Sequence, residues 1–312
     1  MAKIIGPGSL IVDVTGYAPH LPVAGETTKG STLRFGPGGK GSNQLTAAHR
    51  AGSEVKIISR RGDDVLGGIL KKHYETEGMS EEYIVVDPCG ETASALIEID
   101  ESDAQNRIMV ICAANELVGR DSVYAAEKDF ADCDAVLTQF ETTTEAVFAA
   151  KELAKKYSKP FILNPAPYTD VPRELFDGVD YVTPNETETE QFTGIRTDTA
   201  EDCKRAAEKF FDMGVKNVII TLGVRGVYFN NGTTELTIPA LRVRAVETTG
   251  AGDAFNGGLA TAIAEGMPID TALKFATCTS AISVTRYGSS ESMPYRHEII
   301  ELLKKEFGIT IE

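Results

Sequence analysis

The chain has 312 residues, of which 42% are hydrophobic and 25% are charged, and this composition suits one large globular domain. Its formal net charge is −15, from 46 acidic against 31 basic residues. A surface this acidic repels nucleic acids and anionic membranes. No apolar run approaches the roughly 20 residues that cross a bilayer, so we expect neither a nucleic-acid partner nor a membrane partner.

Short apolar segments, each bounded by turn residues, predict buried strands. They are Lys3–Ile5, Val55–Ser59, Ala135–Thr138, Phe161–Leu163, Tyr181–Thr183 and Asn217–Leu222. Amphipathic segments between them predict helices, most clearly from Thr199 to Met213, after which Gly214 ends the pattern. Alternating strands and helices favour an α/β fold whose central, mostly parallel sheet is covered by helices on both faces. We expect a single domain over residues 1–312.

Two stretches lack the helices of this alternation. Residues near Val14–Phe35 alternate polar and apolar side chains, and Ala93–Cys112 reads as a hairpin with a polar turn from Asp100 to Asn106. Both predict a small sheet outside the main one, a lid formed by about 14–36 and 92–113. Exposed apolar faces on such an element often pair with another subunit, so we expect a homodimer through this lid.

The cysteines and histidines exclude several classes of site. The five cysteines are scattered without a C-x-x-C pair, and the four histidines show no paired spacing. We therefore expect a reduced, cytoplasmic protein with no zinc site and no Ser-His-Asp triad.

The segment Glu247–Gly258 carries the strongest chemical signal. It predicts a strand end, a tight turn of small residues and a helix start. Backbone N–H groups at a helix N-terminus lack internal partners and carry partial positive charge, so they can bind a phosphoryl group. Asp253 stands in the same turn, where a carboxylate can accept a proton. The pattern favours phosphoryl transfer to an alcohol, although it is also compatible with a plain turn capped by an aspartate.

A second glycine-rich segment, Phe35–Gln44, precedes a helix that we expect to end near Ala51. Its backbone could approach a polyhydroxy ligand, with Lys40 and Asn43 as polar contacts. It is not a Walker A loop, because Gly41 follows the lysine where Ser or Thr is required. The alternative is a glycine turn that merely leads into the helix.

Polar loops follow three of the predicted strands. Asn164–Pro167 and Thr183–Glu188 lie at strand carboxyl ends, where open α/β sheets bind ligands. Asn185 and Glu188 are three residues apart and could organise Mg²⁺ and its waters, or could simply cap a helix. The glycines of Thr221–Val227 could admit a nucleotide or form a hairpin.

Together these motifs resemble the ribokinase-like (phosphofructokinase-B) carbohydrate kinase family, and within it the ribokinases. The matching motifs occur in family order as Gly38–Gln44, Asn164–Pro167, Pro184–Glu188 and Thr248–Asp253. The resemblance covers nearly the whole chain. It implies the family's α/β fold with a β lid over the sugar. It also implies ATP-dependent, in-line phosphorylation of a primary sugar hydroxyl, such as the conversion of D-ribose to D-ribose 5-phosphate.

The resemblance also implies a role for each matching residue. Asp253 would be the base that takes the proton of the sugar hydroxyl, beside an anion hole formed by Gly250, Ala251 and Gly252. The residues implied to hold the sugar are Asp13, Gly39, Lys40, Asn43 and Glu141. Those implied to bind ATP are Asn185, Thr221, Gly223, Gly226, Gly252 and Thr277, with Glu188 holding Mg²⁺ indirectly. Those implied to surround a monovalent cation, usually K⁺, are Glu247, Thr249, Ser283, Arg286, Gly288 and Ser292.

Three positions depart from the ribokinase pattern. Ile11 replaces an asparagine implied to touch a sugar hydroxyl, and a buried unpaired hydroxyl costs roughly 1–3 kcal/mol. A deoxy sugar, another pentose, a ketohexose or a nucleoside therefore remains an alternative substrate. Glu247 replaces an aspartate at the cation site, and Thr277 replaces a histidine near adenine. A non-catalytic sugar sensor is the alternative outside the enzymes, and the presence of Asp253 and Glu188 argues against it.

Overall fold

The computed structural model describes residues 1–102 and 105–311. The strands are β1 (Lys3–Pro7), β2 (Ile11–Ala18), β3 (Thr32–Gly38), β4 (Glu54–Gly62), β5 (Ile84–Asp87), β6 (Ser94–Asp100), β7 (Asn106–Ile111), β8 (Ala135–Gln139), β9 (Phe161–Asn164), β10 (Tyr181–Val182), β11 (Asn217–Thr221), β12 (Val227–Asn230) and β13 (Glu235–Ile238). The helices are α1 (Lys40–Arg50), α2 (Val65–Glu77), α3 (Arg120–Ala125), α4 (Glu127–Asp132), α5 (Thr144–Lys156), α6 (Glu186–Thr193), α7 (Ala200–Asp212), α8 (Ala251–Ala264), α9 (Ile269–Ser283) and α10 (Arg296–Phe307). Within these residues, no helix combines the length and the apolar content that crossing a membrane requires.

The larger sheet has nine strands in the order β13-β12-β11-β10-β9-β8-β1-β4-β5. Strands β12 and β13 pair antiparallel at one edge, and the other strands run parallel. Every strand predicted from an apolar segment belongs to this sheet, so the expectation of a mostly parallel central sheet is confirmed. The antiparallel edge arises because only a short turn separates β11 from β12, which is too short for a parallel crossover.

Helices cover both faces of this sheet, as predicted. Neighbouring residues of a strand point to opposite faces, and in β1 Ile5 and Ile4 belong to different apolar clusters. The Ile5 face is covered by α3, α4, α5, α6 and α7. The Ile4 face is covered by α1, α2, α8, α9 and α10. The core is therefore two apolar layers on either side of the sheet, which is the arrangement that places ligand sites at the strand ends.

The clearest predicted helix is confirmed as α7. Its N-cap residue Thr199 accepts a hydrogen bond from the Asp202 N–H at 3.2 Å, and the Asp202 carboxylate accepts one from the Thr199 N–H at 3.1 Å. This reciprocal pair is a capping box, which satisfies two N–H groups that the helix leaves unpaired. Gly214 follows the helix with φ +98°, a left-handed conformation that favours glycine.

A second sheet of four strands has the order β3-β2-β6-β7. The predicted pairs β2–β3 and β6–β7 are antiparallel, as expected, but β2 and β6 pair in parallel, which the sequence did not indicate. Strand β2 follows β1, and β6 follows β5. Because β1 and β5 run in the same direction, both continuations leave the same edge of the main sheet together. Residues 103 and 104 of the predicted polar turn lie outside the described residues.

One face of the small sheet exposes large apolar side chains. We call this set the outer apolar face, and it consists of Leu33, Phe35, Leu96 and Met109. Their register places them on one side of the sheet, with Leu33 61% exposed and Met109 60% exposed. Asp13 lies on the opposite side, because it is one residue out of step with Val14, the direct neighbour of Phe35 and Leu96.

Candidate active site

The predicted base lies at the start of α8. Asp253 is the third residue of this helix and is only 7% exposed. The N-cap residue Gly250 has φ +78°, and a Cβ atom there would lie 3.4 Å from the Ser289 Cα. The positive φ is therefore what favours glycine here, while the Ser289 segment packs against it at ordinary contact distance.

Close packing of α1 against α8 brings two amide side chains to this carboxylate. A Cβ atom at Gly257 would lie 2.3 Å from the Gln44 carbonyl oxygen, so only glycine permits this contact. As a result, the Asn43 Nδ2 donates to Asp253 Oδ2 at 3.0 Å, and the Gln44 Nε2 donates to Asp253 Oδ1 at 2.9 Å. Both oxygens of the base are thus held by donors. Asn43 was predicted as a site residue, whereas the role of Gln44 was missed.

The first turn of α8 presents free backbone N–H groups. The N–H of Ala251 is bonded to the Thr248 carbonyl at 3.2 Å. The N–H groups of Gly252 and Asp253 make no hydrogen bond to any other residue within the described ranges. Of the residues implied to form an anion hole, Gly252 therefore presents an open donor, Gly250 supplies the turn, and Ala251 is engaged elsewhere. An anion beside Asp253 would meet two unpaired donors and the helix dipole.

Asp13 faces this carboxylate from the small sheet. It is partly buried, and its Oδ2 accepts a hydrogen bond from the Ser289 hydroxyl at 2.9 Å. Burial and the negative charges of Glu141, Asp253 and Glu247 together raise the pKa of Asp13 to about 6, against the opposing effect of the Ser289 hydroxyl. This environment is suited to a neutral ligand that donates hydroxyl hydrogen bonds.

Glu141 and Lys40 lie on the side of the site near the main sheet. The Glu141 Oε2 accepts hydrogen bonds from the Ser9 hydroxyl at 2.7 Å and from the Lys40 N–H at 2.8 Å. Burial lowers the pKa of the Lys40 ammonium, but the carboxylates of Asp253, Glu141 and Glu188 outweigh it, so the pKa is raised overall. The ammonium therefore stays charged among three acidic groups.

Ile11 forms an apolar patch beside these polar groups. It is 3% exposed and packs with Ala93 and Ala95. Gly39, with φ +90°, lies against it, since a Cβ atom at Gly39 would be 2.9 Å from the Ile11 N. Ile11 precedes Asp13 by two residues in β2, so both side chains leave the same face of the strand. This chain thus has buried hydrocarbon at the position where the ribokinase pattern has an asparagine.

Asn185 and Glu188 form a capping box at the start of α6. The Asn185 Oδ1 accepts from the Glu188 N–H at 2.8 Å, and the Glu188 Oε2 accepts from the Asn185 N–H at 2.9 Å. The helix-cap interpretation is therefore correct. Glu188 is 7% exposed, and burial and Asp253 raise its pKa against the opposing effects of Asn185 and Lys40. Its Oε1 makes no hydrogen bond within the described residues, so one oxygen stays free for a further ligand.

The Thr221–Val227 segment makes the hairpin that the sequence left as one of two possibilities. Thr221 donates its N–H to the Pro184 carbonyl at 3.0 Å, which places it next to the Asn185 loop. Gly223 begins a single 3₁₀ turn. A Cβ atom at Gly226 would lie 2.0 Å from the Ile238 carbonyl oxygen, so this glycine is required by packing against β13.

Thr277 lies in α9 and is 6% exposed. Its hydroxyl donates to the Leu273 carbonyl at 2.8 Å, within the same helix. The Thr277 side chain can therefore offer a ligand only the acceptor lone pairs of its hydroxyl and the surface of its methyl group. A histidine ring at this position could also donate a hydrogen bond.

The predicted cation ligands lie around the loop after α9. The Glu247 Oε2 accepts from the Gly288 N–H at 3.0 Å. The Arg286 guanidinium forms an ion pair with Glu298, so only its backbone is available to this loop. Thr249 is exposed beside the turn that starts α8.

The two predicted serine ligands are buried in the same region. Ser283 and Ser292 each donate the hydroxyl to a backbone carbonyl three residues earlier, at 2.9 and 2.8 Å. Their oxygen lone pairs remain able to accept a cation. Of the predicted cation ligands, Glu247 and Gly288 are in direct contact, through the Gly288 N–H.

Sequence reasoning missed the two serines that connect this loop to the site. The Ser289 hydroxyl contacts Asp13, and the Ser290 hydroxyl donates to the Asn43 Oδ1 at 2.6 Å. Ser290 and Asn43 are 247 residues apart in the chain, and no local pattern marks their contact. The repeated serines after Gly288 were the only available sign, and they are equally typical of an ordinary turn.

Comparison with known proteins agrees with this geometry. The profile of the pfkB family carbohydrate kinases matches residues 1–296. Ribokinase of Haemophilus influenzae is 36% identical over 297 residues, which cover 95% of this chain and 97% of that protein. Deoxyribokinase of Salmonella typhi is 33% identical over 297 residues, with the same coverage. The solved structure of Arabidopsis thaliana ribokinase complexed with ribose and ATP superposes with a TM-score of 0.90 at 29% identity, covering 97% of this chain and 99% of that one. The chain therefore belongs to the pfkB family of carbohydrate kinases, phosphotransferases that act on an alcohol group.

Proposed function

We propose that the protein is an ATP-dependent kinase of the ribokinase type, converting D-ribose and ATP to D-ribose 5-phosphate and ADP. One observation carries the proposal: the buried Asp253 carboxylate lies at a helix N-terminus beside the free N–H groups of Gly252 and Asp253 itself. Similarity to the Haemophilus ribokinase and to the Arabidopsis ribokinase bound to ribose and ATP supports the choice of substrates.

In the proposed reaction, Asp253 accepts the proton of the primary hydroxyl while the hydroxyl oxygen attacks the γ-phosphorus. The bond from that phosphorus to the bridging oxygen breaks, and ADP leaves with the electron pair. The N–H groups of Gly252 and Asp253 stabilise the charge on the transferring oxygens. Asp13, Glu141 and Asn43 would hold the other sugar hydroxyls.

Two metal ions belong to the proposal, Mg²⁺ and K⁺. Mg²⁺ would neutralise the nucleotide phosphates and keeps several waters when protein carboxylates are few. The free Oε1 of Glu188 fits such a water-mediated role, and within residues 1–102 and 105–311 no group of three or more His, Cys, Asp or Glu offers an all-protein site. K⁺ would lie near Glu247 and Gly288, behind the anion hole. We expect turnover to rise with K⁺, and an equal response to Na⁺ would remove this ion from the proposal.

We further propose one kinase domain over residues 1–312, with the small sheet, about 14–36 and 92–113, acting as a lid over the sugar. Because Asp13 lies on this sheet, its closure would complete the sugar site and exclude water. Hydrolysis of ATP without sugar should then be slow, and fast sugar-independent hydrolysis would contradict the lid. The outer apolar face would form a homodimer in the cytoplasm, which analytical ultracentrifugation can test.

The substrate assignment is tested by measuring ADP release over a panel of pentoses, deoxy sugars, ketohexoses and nucleosides. We expect D-ribose or a close pentose relative to give the highest kcat/KM. A higher value for a ketohexose or a nucleoside would contradict the ribokinase assignment. No ADP release with any member of the panel, from protein that binds sugar, would favour the sensor alternative.

A second candidate, 2-deoxy-D-ribose, is favoured by Ile11. This residue puts buried hydrocarbon beside Asp13, and an apolar wall leaves a ligand hydroxyl unpaired but accepts a methylene. The Salmonella deoxyribokinase is 33% identical to this chain. A ratio of kcat/KM for deoxyribose over ribose above one would establish this candidate, and a ratio far below one would exclude it.

A further inference from the structure

A chain of buried amide side chains leads to the base from the end of β10. It begins at the Thr183 backbone carbonyl, which accepts a hydrogen bond from the Asn164 Nδ2 at 2.8 Å. A carbonyl can only accept, so the amide nitrogen of Asn164 must face Thr183. The Asn164 Oδ1 must then point the other way, toward Gln44.

The orientation of Gln44 follows from that of Asn164. The Gln44 Nε2 donates to the Asn164 Oδ1 at 3.0 Å and to the Asp253 Oδ1 at 2.9 Å. If the amide were turned over, its oxygen would face two other oxygens that have no proton to share. Both N–H bonds of Gln44 are therefore committed, one to the strand-end loop and one to the base.

The amide oxygen of Gln44 is also paired, and this pairing leaves an oxygen of its neighbour Gln139 unpaired. The Gln44 Oε1 accepts from the Gln139 Nε2 at 2.7 Å. The Gln139 Oε1 is consequently buried without a hydrogen-bond partner in the described part of the chain. An unpaired buried acceptor destabilises a fold, so the interior tolerates a defect at Gln139 while Gln44 keeps all its partners.

We infer that Gln44 is the positioning residue of the base: it fixes the Oδ1 of Asp253 so that the Oδ2 faces the sugar hydroxyl. The geometry supports this division, because Gln44 is fully buried, whereas the Oδ2 is contacted by Asn43 on the side of the predicted sugar site. The inference rests on the proposed role of Asp253. It adds a residue that touches neither sugar nor nucleotide and acts only through the carboxylate.

The test is the pH dependence of kcat in the variant Gln44→Met, measured at saturating sugar and ATP. A carboxylate that loses a hydrogen-bond donor retains its proton to higher pH. We expect kcat at pH 7.5 to fall about tenfold, and the acid limb of the profile to move up by about one pH unit. Loss of folded protein alone would lower kcat at every pH without moving the limb.

Ser53→Ala is the matched control. The Ser53 hydroxyl donates to the Thr261 Oγ1 at 3.0 Å, so this variant also loses a buried hydrogen bond to α8 but contacts no site residue. We expect a comparable loss of stability with an unmoved acid limb. Movement of the limb in Ser53→Ala as large as in Gln44→Met would overturn the inference, because any loosening of α8 would then have the same effect.

A second variant covers the case in which Gln44→Met does not fold. Asn164→Ala leaves the Gln44 amide in place but removes its anchor, so the limb should move in the same direction by a smaller amount. If Gln44→Met and Asn164→Ala fold but leave the acid limb of kcat unmoved, and Asp253→Asn is inactive, the inference is overturned. Near-normal turnover in Asp253→Asn would instead overturn the proposed function, and this inference with it.

Discussion

The two halves of the site are built differently. On the α8 side, Asp253 is 7% exposed and both of its carboxylate oxygens accept hydrogen bonds from α1 side chains. On the side of the small sheet, Asp13 is only partly buried, and within the described residues its carboxylate accepts one hydrogen bond, from Ser289. The carboxylate proposed as the base is thus fixed in the layered core, whereas Asp13, one of the groups proposed for the sugar, lies on the small sheet.

Polar contacts join the small sheet to the loop after α9. Besides the Asp13–Ser289 bond, the Arg34 guanidinium of β3 lies over the ring of Tyr287, 5.3 Å from its centroid. Contacts of this kind are worth little when exposed and are re-formed easily. We therefore expect changes around Asp253 to alter turnover, and changes on the small sheet around Asp13 to alter recognition of the sugar.

The largest expected effect separates the two halves directly. Asp253→Asn should lower kcat by about 10²–10⁴, because it removes the proton acceptor, while nucleotide binding is kept. Asp13→Asn should chiefly raise KM for the sugar. Steady-state kinetics measures kcat and KM for both variants, and titration calorimetry with ADP measures nucleotide binding. If Asp253→Asn changed only KM, or if Asp13→Asn removed turnover altogether, the division of labour would be wrong.

The next effect concerns sugar preference. Ile11→Asn should raise the ratio of kcat/KM for ribose over deoxyribose by about tenfold, since a new polar partner would satisfy the sugar hydroxyl. Ile11→Leu is the control, because it keeps the apolar surface and should leave the ratio unchanged. An unchanged ratio in Ile11→Asn, with the fold intact by circular dichroism, would place the sugar away from β2.

The third prediction is a pH dependence that belongs to the sheet half. The pKa of Asp13 is raised to about 6 by burial and by the neighbouring carboxylates. Ionised Asp13 is the form that accepts sugar hydroxyls, so kcat/KM for the sugar should be constant above about pH 6.5 and fall up to tenfold per unit below pH 6. Asp13→Asn should remove this limb. A wild-type kcat/KM that stays flat down to pH 5 would contradict the assignment.

The smallest effect is on stability. Between the ordinary aspartate pKa of 3.8 and about 6, the folded protein holds a proton on Asp13 that the unfolded chain has lost. Raising the pH through this window therefore lowers the free energy of unfolding, and the loss is complete above pH 6. Asp13→Asn should increase that free energy by about 1–2 kcal/mol at pH 7.5 and by nothing below pH 3.8. Denaturant titrations of the wild type and Asp13→Asn at both pH values measure this free energy of unfolding. An equal increase at the two pH values would exclude the raised pKa of Asp13 as its cause.

Much of the core half could be predicted from sequence, because local patterns encode it. Apolar segments gave the strands of the main sheet, and the small residues before Asp253 gave the turn that Gly250 makes with φ +78°. The amide chain through Gln44 could not be predicted in the same way. Gln44 and Asp253 are 209 residues apart, and their contact depends on how closely α1 packs on α8 at Gly257.

The sheet half was less accessible for a related reason. Its two hairpins follow from alternating polar and apolar residues, but the parallel pairing of β2 with β6 depends on where β1 and β5 lie in the main sheet. That order is a property of the assembled fold. The capping box at Asn185 shows the converse, since the local pattern alone predicted this helix cap, while a role of Glu188 toward Mg²⁺ stays a prediction.

The wide separation between Asn43 and Asp253, 210 residues along the chain, has a consequence for biosynthesis. All four strands of the small sheet lie within residues 11–111, so the ribosome completes this sheet early. The turn proposed to bind the phosphoryl group emerges only after residue 250. A nascent polypeptide therefore carries the complete outer apolar face while residues 110–252 are added and before the Asp253 carboxylate exists, and this interval is when chaperone protection matters most.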